Sequence, residues 1–250
     1  MKRAVRKIHR WLGLLMLVQL LAWMVSGFYF TLHPIVEIRG EHLTRAADPF
    51  TPGDLDSTVP LRAIGAALSA EFGAEWRLET VGLFSSGDRL CWRAEGIAGD
   101  QPFRRLVALD GSAVLPDLAA SEAARRAVGW LRSPAEPVSI SWIDAGGGGH
   151  DLRGRSGPAW KVTFEQPDAI DLYLDPWTGE LLARRTDRWR LFDFMWMLHI
   201  MDYDAREDFH HPLLQAAAVA GLLVAISGLA FWLLTRRRSS VGVRSTRGGR

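Results

Sequence analysis

Residues 11–30, WLGLLMLVQLLAWMVSGFYF, and residues 212–234, PLLQAAAVAGLLVAISGLAFWLL, decide the architecture of this chain. Neither run holds a charged side chain, and a helix of about 20 apolar residues spans the hydrocarbon core of a bilayer. Lys2, Arg3, Arg6, Lys7 and Arg10 precede the first run, and Arg236, Arg237, Arg238, Arg244, Arg247 and Arg250 follow the second. Lys and Arg collect on cytoplasmic flanks, so the pattern predicts two membrane helices with both termini in the cytoplasm. Residues from about 31 to 211 then lie outside the membrane. The first run is longer than the apolar part of a signal peptide and lacks a small-x-small cleavage site, so it is expected to be a retained anchor.

The 250 residues carry 30 basic and 28 acidic side chains, a net charge of +2. That balance conceals a division. The two termini hold 11 of the basic residues and no acid, which leaves 19 basic and 28 acidic side chains over residues 11–234. An acidic exported region excludes a broad nucleic-acid-binding field, and the basic ends are accounted for by topology and anionic lipid. Cys91 is the only cysteine, which excludes an intramolecular disulfide, CxxC redox chemistry and thiolate zinc sites.

Between the spans the sequence repeats itself weakly. Residues 59–72, VPLRAIGAALSAEF, place Leu61, Ile64, Ala67, Leu68 and Phe72 at helical spacing. Strands are expected at 77–84, 89–95 and 103–109, separated by turns at Ser86-Gly87-Asp88 and Gly99-Asp100, and closed by VALDGSAVL around Asp110-Gly111. The order then recurs. A helix is expected over 120–132, strands at 138–143, 159–165 and 169–174, and YLDPWTGELL closes the set, with Asp175, Pro176 and Gly179 supplying turn chemistry. Gly146 to Gly149 read as a flexible hairpin tip, because no Gly-Lys-Ser/Thr follows to make a phosphate loop.

Within the spans, Gln19 and Ser26 lie seven apart on one helix face and want partners in lipid. Ala217, Gly221 and Ala225 form a small-residue stripe that admits another helix, from the same chain or from a dimer. Residues 187–211 carry Trp189, Phe192, Trp196 and His199 near one face. The segment is too short to span and is expected to lie on, or dip into, the outer interface. Asp208 is a candidate cap for the second span and Pro212 suits its first turn.

Three stretches carry a family resemblance: KIHRWLGLLMLVQLLAWMVSG at 7–27, YLDPWTGELL at 173–182 and FMWMLHIMDYD at 194–204. The arrangement resembles the PepSY-associated transmembrane proteins. The resemblance implies an α+β membrane protein in which two transmembrane helices flank an extracytoplasmic domain of two tandem PepSY-like units, each a helix on an antiparallel sheet. The expected parts are a cytoplasmic N-terminus at 1–10, span 1 at 11–32, a linker at 33–58, unit 1 at 59–116 and unit 2 at 117–186. An interfacial segment at 187–211, span 2 at 212–234 and a cytoplasmic tail at 235–250 complete the chain. PepSY domains resemble small binding modules, and larger membrane members include inner-membrane siderophore-iron reductases that hold haem through histidine pairs. Those reductases have at least four spans; this chain has two apolar runs and no flavin or nicotinamide fingerprint.

Haem iron takes neutral imidazole nitrogen, which makes His9, His33, His199, His210 and His211 the candidate haem ligands. His33 and one of His199, His210 or His211 are expected at one depth, at the outer side. His9 stands at the cytoplasmic edge of the first span, about 30 Å from them, so it is expected to pair only with a second copy or a partner. His42 and His150 fall in polar loops. A divalent site built from His199, Asp202, Asp204, Glu207, Asp208, His210 and His211 has no recognised ligand spacing, and none is expected. Ser139 and Ser156 lack a nucleophile elbow, so no independent catalytic motif is read. The first functional expectation is a bacterial inner-membrane protein whose extracytoplasmic domain is a binding or regulatory module. Its expected partners are the lipid bilayer, a second copy or another membrane protein, and a peptide or protein ligand, with no nucleic acid. The alternative is a haem b electron-transfer subunit serving ferric-iron or siderophore reduction.

Overall fold

The computed structural model describes residues 2–45, 61–86, 89–155, 157–165 and 168–236. Most of the expected linker, the turn at Gly87-Asp88, Ser156 and the basic tail beyond Arg236 lie outside the described residues. The chain is α+β and divides into two compact units, one of residues 1–34 and 191–250, the other of residues 35–190.

The first unit is helical. Helices α1 (Lys2–Leu32) and α6 (Pro212–Arg236) contain the two stretches long and apolar enough to cross a membrane, Arg6–Leu32 and Pro212–Leu233. They pack side by side. The shielded positions on α1, including Met16, Leu20, Trp23, Ser26 and Phe30, recur at three- and four-residue steps, the spacing of a helix seam. On α6 the seam runs through Ala217, Gly221, Val224 and Gly228. The Cβ position of Gly221 lies 3.5 Å from the Trp23 ring, and that of Gly228 lies 3.0 Å from the His9 ring. The expected small-residue stripe is therefore corrected at its third member: Ala225 is exposed, because a step of seven residues rather than eight keeps a side chain on the seam. Leu15, Val18, Val25, Leu222 and Ile226 point away from it.

Helix α5 (Asp187–Ile200) begins in the second unit and ends in the first. Phe192, Trp196 and His199 all meet Phe30 of α1. The last carbonyls of a helix have no partner within it, and here side chains supply one each. Gln19 Nε2 donates to Leu198 O at 3.0 Å, Trp23 Nε1 to His199 O at 2.7 Å and His211 Nε2 to Ile200 O at 2.9 Å. Gln19 thus finds its partner on α5, not on the other apolar helix. Met201 and Arg206 turn the chain with positive φ, and Arg206 pairs with the buried Asp193. Asp208 does not cap α6. It takes the His210 N–H instead, and Leu214 N–H is directed at His211 Nδ1.

The second unit holds two antiparallel sheets in sequence order. In the first, β1 (Trp76–Ser86), β2 (Arg89–Ala98) and β3 (Gln101–Ala108) carry α3 (Leu61–Phe72), whose Ile64, Ala67 and Leu68 pack on Ala94, Phe103 and Val107. Gly96 is required at its place, because a Cβ there would lie 2.0 Å from Arg77 O. In the second, β4 (Ser139–Ile143), β5 (Ala159–Phe164), β6 (Ile170–Leu174) and β7 (Leu181–Thr186) carry α4 (Ala120–Trp130), with Ala127 and Leu131 on Val162, Phe164, Ile170 and Leu172. The glycine-rich segment lies in the hairpin loop between β4 and β5. It turns at Asp144–Gly147, and Leu152 packs on Ala159 and Tyr173, closing the sheet's other face. Apolar burial is the cause: Leu152 is the one large aliphatic side chain in that loop.

Residues 35–45 are ordered, with a short helix α2 (Ile35–Ile38) and Thr44 bridged to Leu131. The DPWTGE turn joins the two halves. Asp175 Oδ1 accepts the N–H groups of Trp177 and Thr178, and Oδ2 accepts Arg104 Nη1 from β3 at 3.1 Å. Thr178 O accepts Ser86 Oγ at 2.9 Å and Arg126 Nη1 at 3.1 Å. Gly179, at φ 70, brings its backbone against Arg126.

Candidate functional site

The candidate histidines are scattered through the helical unit, and three share one orientation. His9 Nδ1 lies 3.2 Å from Val224 O and 3.0 Å from Ser227 Oγ. His33 Nδ1 lies 3.0 Å from Tyr29 O, with its ring stacked on Tyr29. His199 Nδ1 lies 2.8 Å from Ser26 Oγ, whose own hydrogen goes to Ala22 O. A carbonyl only accepts, so the network assigns the proton of His9 and His33 to Nδ1. The same assignment holds for His199, and in all three it leaves Nε2 as the unprotonated nitrogen; in His9 that edge of the ring lies against Gly228 of α6. His211 is spent structurally: one neutral tautomer donates from Nε2 to Ile200 O and accepts Leu214 N–H at Nδ1. His210 is exposed.

In the second unit the sheet edges differ. Strand β1 is broken by a bulge between Leu78 and Thr80 and bears the Arg77–Glu79 pair. Strand β3 is overlaid by the return of residues 113–115, which bridges Val107 to Val114. Strand β7 carries Arg184 and Arg185, and Arg184 Nε donates to Thr44 Oγ1. Bulges, charges and covering segments are the devices that blunt sheet edges. Strand β4 has none of them among the described residues. Residues 138–143, VSISWI, are uncharged, and Val138, Ile140 and Trp142 on one face are 58%, 37% and 46% exposed. They share the α4 face with Val162 and Trp160, their cross-strand partners being on β5, and although α4 also approaches β4 it leaves these three side chains exposed. The alternation was legible in the sequence; the position of β4 at an edge was not.

The opposite face carries a polar cluster. Asp171, buried, accepts from Thr163 Oγ1 at 2.6 Å, from Lys161 Nζ at 3.1 Å and from Arg190. Burial works against its ionisation, yet these hydrogen bonds outweigh it and hold the carboxyl below its ordinary range. Tyr173 donates to Asp151 at 2.7 Å, and burial followed by Asp151 raises its phenol. Burial likewise pushes the Cys91 thiol up to about 11, with Arg126 opposing, so Cys91 is no ready nucleophile.

A model of the PepSY-associated TM region matches residues 6–250. The chain belongs to that family. No curated protein and no solved structure matches it. Membership and the two apolar helices place this PepSY-associated chain in a membrane.

Haem held by a histidine pair, which the resemblance implies, needs two imidazoles facing one iron. In this PepSY-associated chain His9 and the Ser26-bound His199 are separated by seventeen residues of α1, about 25 Å of helix rise, and α6 packs directly on α1 at Gly221 and Gly228. His9 and His199 of a single copy do not fit as one axial pair, and His211 is committed elsewhere. Among the described residues no three His, Cys, Asp or Glu side chains converge on a metal position. Asp202 instead spends its carboxylate on the N–H groups of Asp204, Ala205, Glu207 and Asp208, which hold its pKa at about 2.

Proposed function

We propose that this PepSY-associated protein sits in a bacterial inner membrane with both termini in the cytoplasm, and that its second unit is an extracytoplasmic binding or regulatory module. The basic flanks support the orientation. Two tandem PepSY-like units, 59–116 and 117–186, are supported by the recurrence of a helix ahead of each antiparallel sheet. The observation that carries the binding reading is the edge of β4, uncovered among the described residues, with its exposed stripe Val138, Ile140 and Trp142. Soluble surfaces rarely leave such an edge open without a use for it. The test is a photoreactive residue at Ser139 of the full chain in cells. An adduct of defined mass that disappears with Ile140→Lys is expected. Adducts from other exposed positions of the unit, with none from Ser139, would contradict the reading.

Haem-dependent electron transfer is the second reading. The anchoring of His9, His33 and His199 through Nδ1, which leaves Nε2 unprotonated, favours it, because such anchoring is how ligating histidines are set. A second copy or a membrane partner completes the enclosure around a pair such as His33 and His199, or supplies the imidazole that faces His9. A Soret band in the detergent-purified protein, lost with His9→Ala or His199→Ala, is its signature; a featureless spectrum after expression with ample haem removes it.

A further inference from the structure

Resting on the binding reading, we propose that β4 accepts an added antiparallel strand from another protein, an uncharged alternating segment with a basic residue at each end. The backbone edge supplies hydrogen-bonding groups that any extended chain can meet. Specificity must come from side chains, and two features of this edge supply it. The first is the stripe itself, three apolar positions at strict two-residue spacing on one face. The second is charge: Glu136 and Asp144 stand exposed at the two ends of the uncharged run.

These charges choose the occupant. A second copy pairing β4 to β4 would centre stripe on stripe at Ile140. Positions whose numbers add to 280 would then face each other, so Glu136 of one copy would meet Asp144 of the other, at both ends. Like charges directly opposite destabilise a strand pair. The unit as a whole carries 23 acidic and 18 basic residues over 35–190, which adds to the repulsion. A segment with Lys or Arg at both ends turns the same two contacts favourable. In that register it reads basic-x-apolar-x-apolar-x-apolar-x-basic.

The probe is the peptide Lys-Thr-Val-Thr-Val-Thr-Val-Thr-Lys, fluorescently labelled and titrated against the full chain in neutral-lipid nanodiscs at low salt, with empty nanodiscs as control. Saturable binding is expected, at least tenfold weaker for the Glu-ended analogue and for the Ile140→Lys protein. Ile140 is 37% exposed, and circular dichroism checks that the variant keeps the parent's fold. Alternate amides of an added strand face its neighbour. N-methylation of the three valines or of the four threonines must therefore abolish binding in one set and spare it in the other. Equal tolerance of both sets overturns strand addition. Equal binding of Lys-ended and Glu-ended peptides overturns the charge argument. A chain dimer that Ile140→Lys dissociates makes a second copy the occupant and overturns the proposal. If no such peptide binds while the Ser139 adduct persists in cells, this inference fails and the binding reading stands.

Discussion

Replacing Asp175 with alanine should loosen the join between the two sheets. The carboxylate is buried and accepts Trp177 N–H at 2.9 Å, Thr178 N–H at 2.8 Å and Arg104 Nη1 at 3.1 Å. Hydrogen bonds to a charged group contribute about 1.5–3 kcal/mol each when buried. Thr178 is buried, so its orphaned N–H carries close to the full loss, whereas Trp177 is partly exposed and its N–H recovers some of it from water. Arg104 is about one-third exposed, which reduces that arm to about 1 kcal/mol. The sum is about 3–5 kcal/mol, or roughly 10 °C in melting temperature for a unit of this size. Near-ultraviolet circular dichroism of the full chain in detergent follows the melt. Asp175→Asn keeps an acceptor for both N–H groups and should recover more than half of the loss. An alanine variant melting within about 3 °C of the parent would refute the reasoning.

Gly179→Ala should cost about 2 kcal/mol or more, since φ is 70 and the new Cβ would lie 2.7 Å from Arg126 Cδ; an unchanged melt contradicts this. Asp171 has a depressed folded pKa, so its ionisation stabilises the fold above the unfolded value of about 3.9, and that contribution is lost as pH falls towards the lower folded value. Melting temperature between pH 6 and pH 3 should therefore fall less steeply in Asp171→Asn than in the parent; equal slopes would assign acid lability elsewhere. With Cys91 replaced by serine, cysteines at Leu20 and Gly221 should cross-link under mild oxidation. Gly228→Val should suppress the cross-link and Ala225→Val should not; the opposite ranking would restore the Ala225 seam.

The helices and strands were legible because their patterns are local. Ile64, Ala67 and Leu68 share one helix face, and residues 138–143 alternate as a strand must. The two apolar runs needed only length and charge flanks. Contacts between elements distant in sequence were not legible. Nothing near Gln19 announces that its amide meets Leu198 O, 179 residues away. The glycines at 146–149 marked the hairpin loop between β4 and β5, but nothing in them announces that Leu152 packs that loop onto Tyr173. The DPWTGE motif was visible as a turn, but its role as the join depends on Arg104, Arg126 and Ser86 arriving from elsewhere in the chain. The histidines were easy to nominate by type. Their spread along α1 followed from helix rise, while their common Nδ1 anchoring came from serine and carbonyl partners that no spacing rule identifies.

The most direct test of a binding unit that works through β4 is amide hydrogen exchange of residues 139–143, compared between native membranes and the detergent-purified chain. The account predicts that the outward-facing amides of this strand exchange slowly in the membranes, where the added segment covers them, and quickly once the chain is purified. Equal, rapid exchange in both preparations would contradict it.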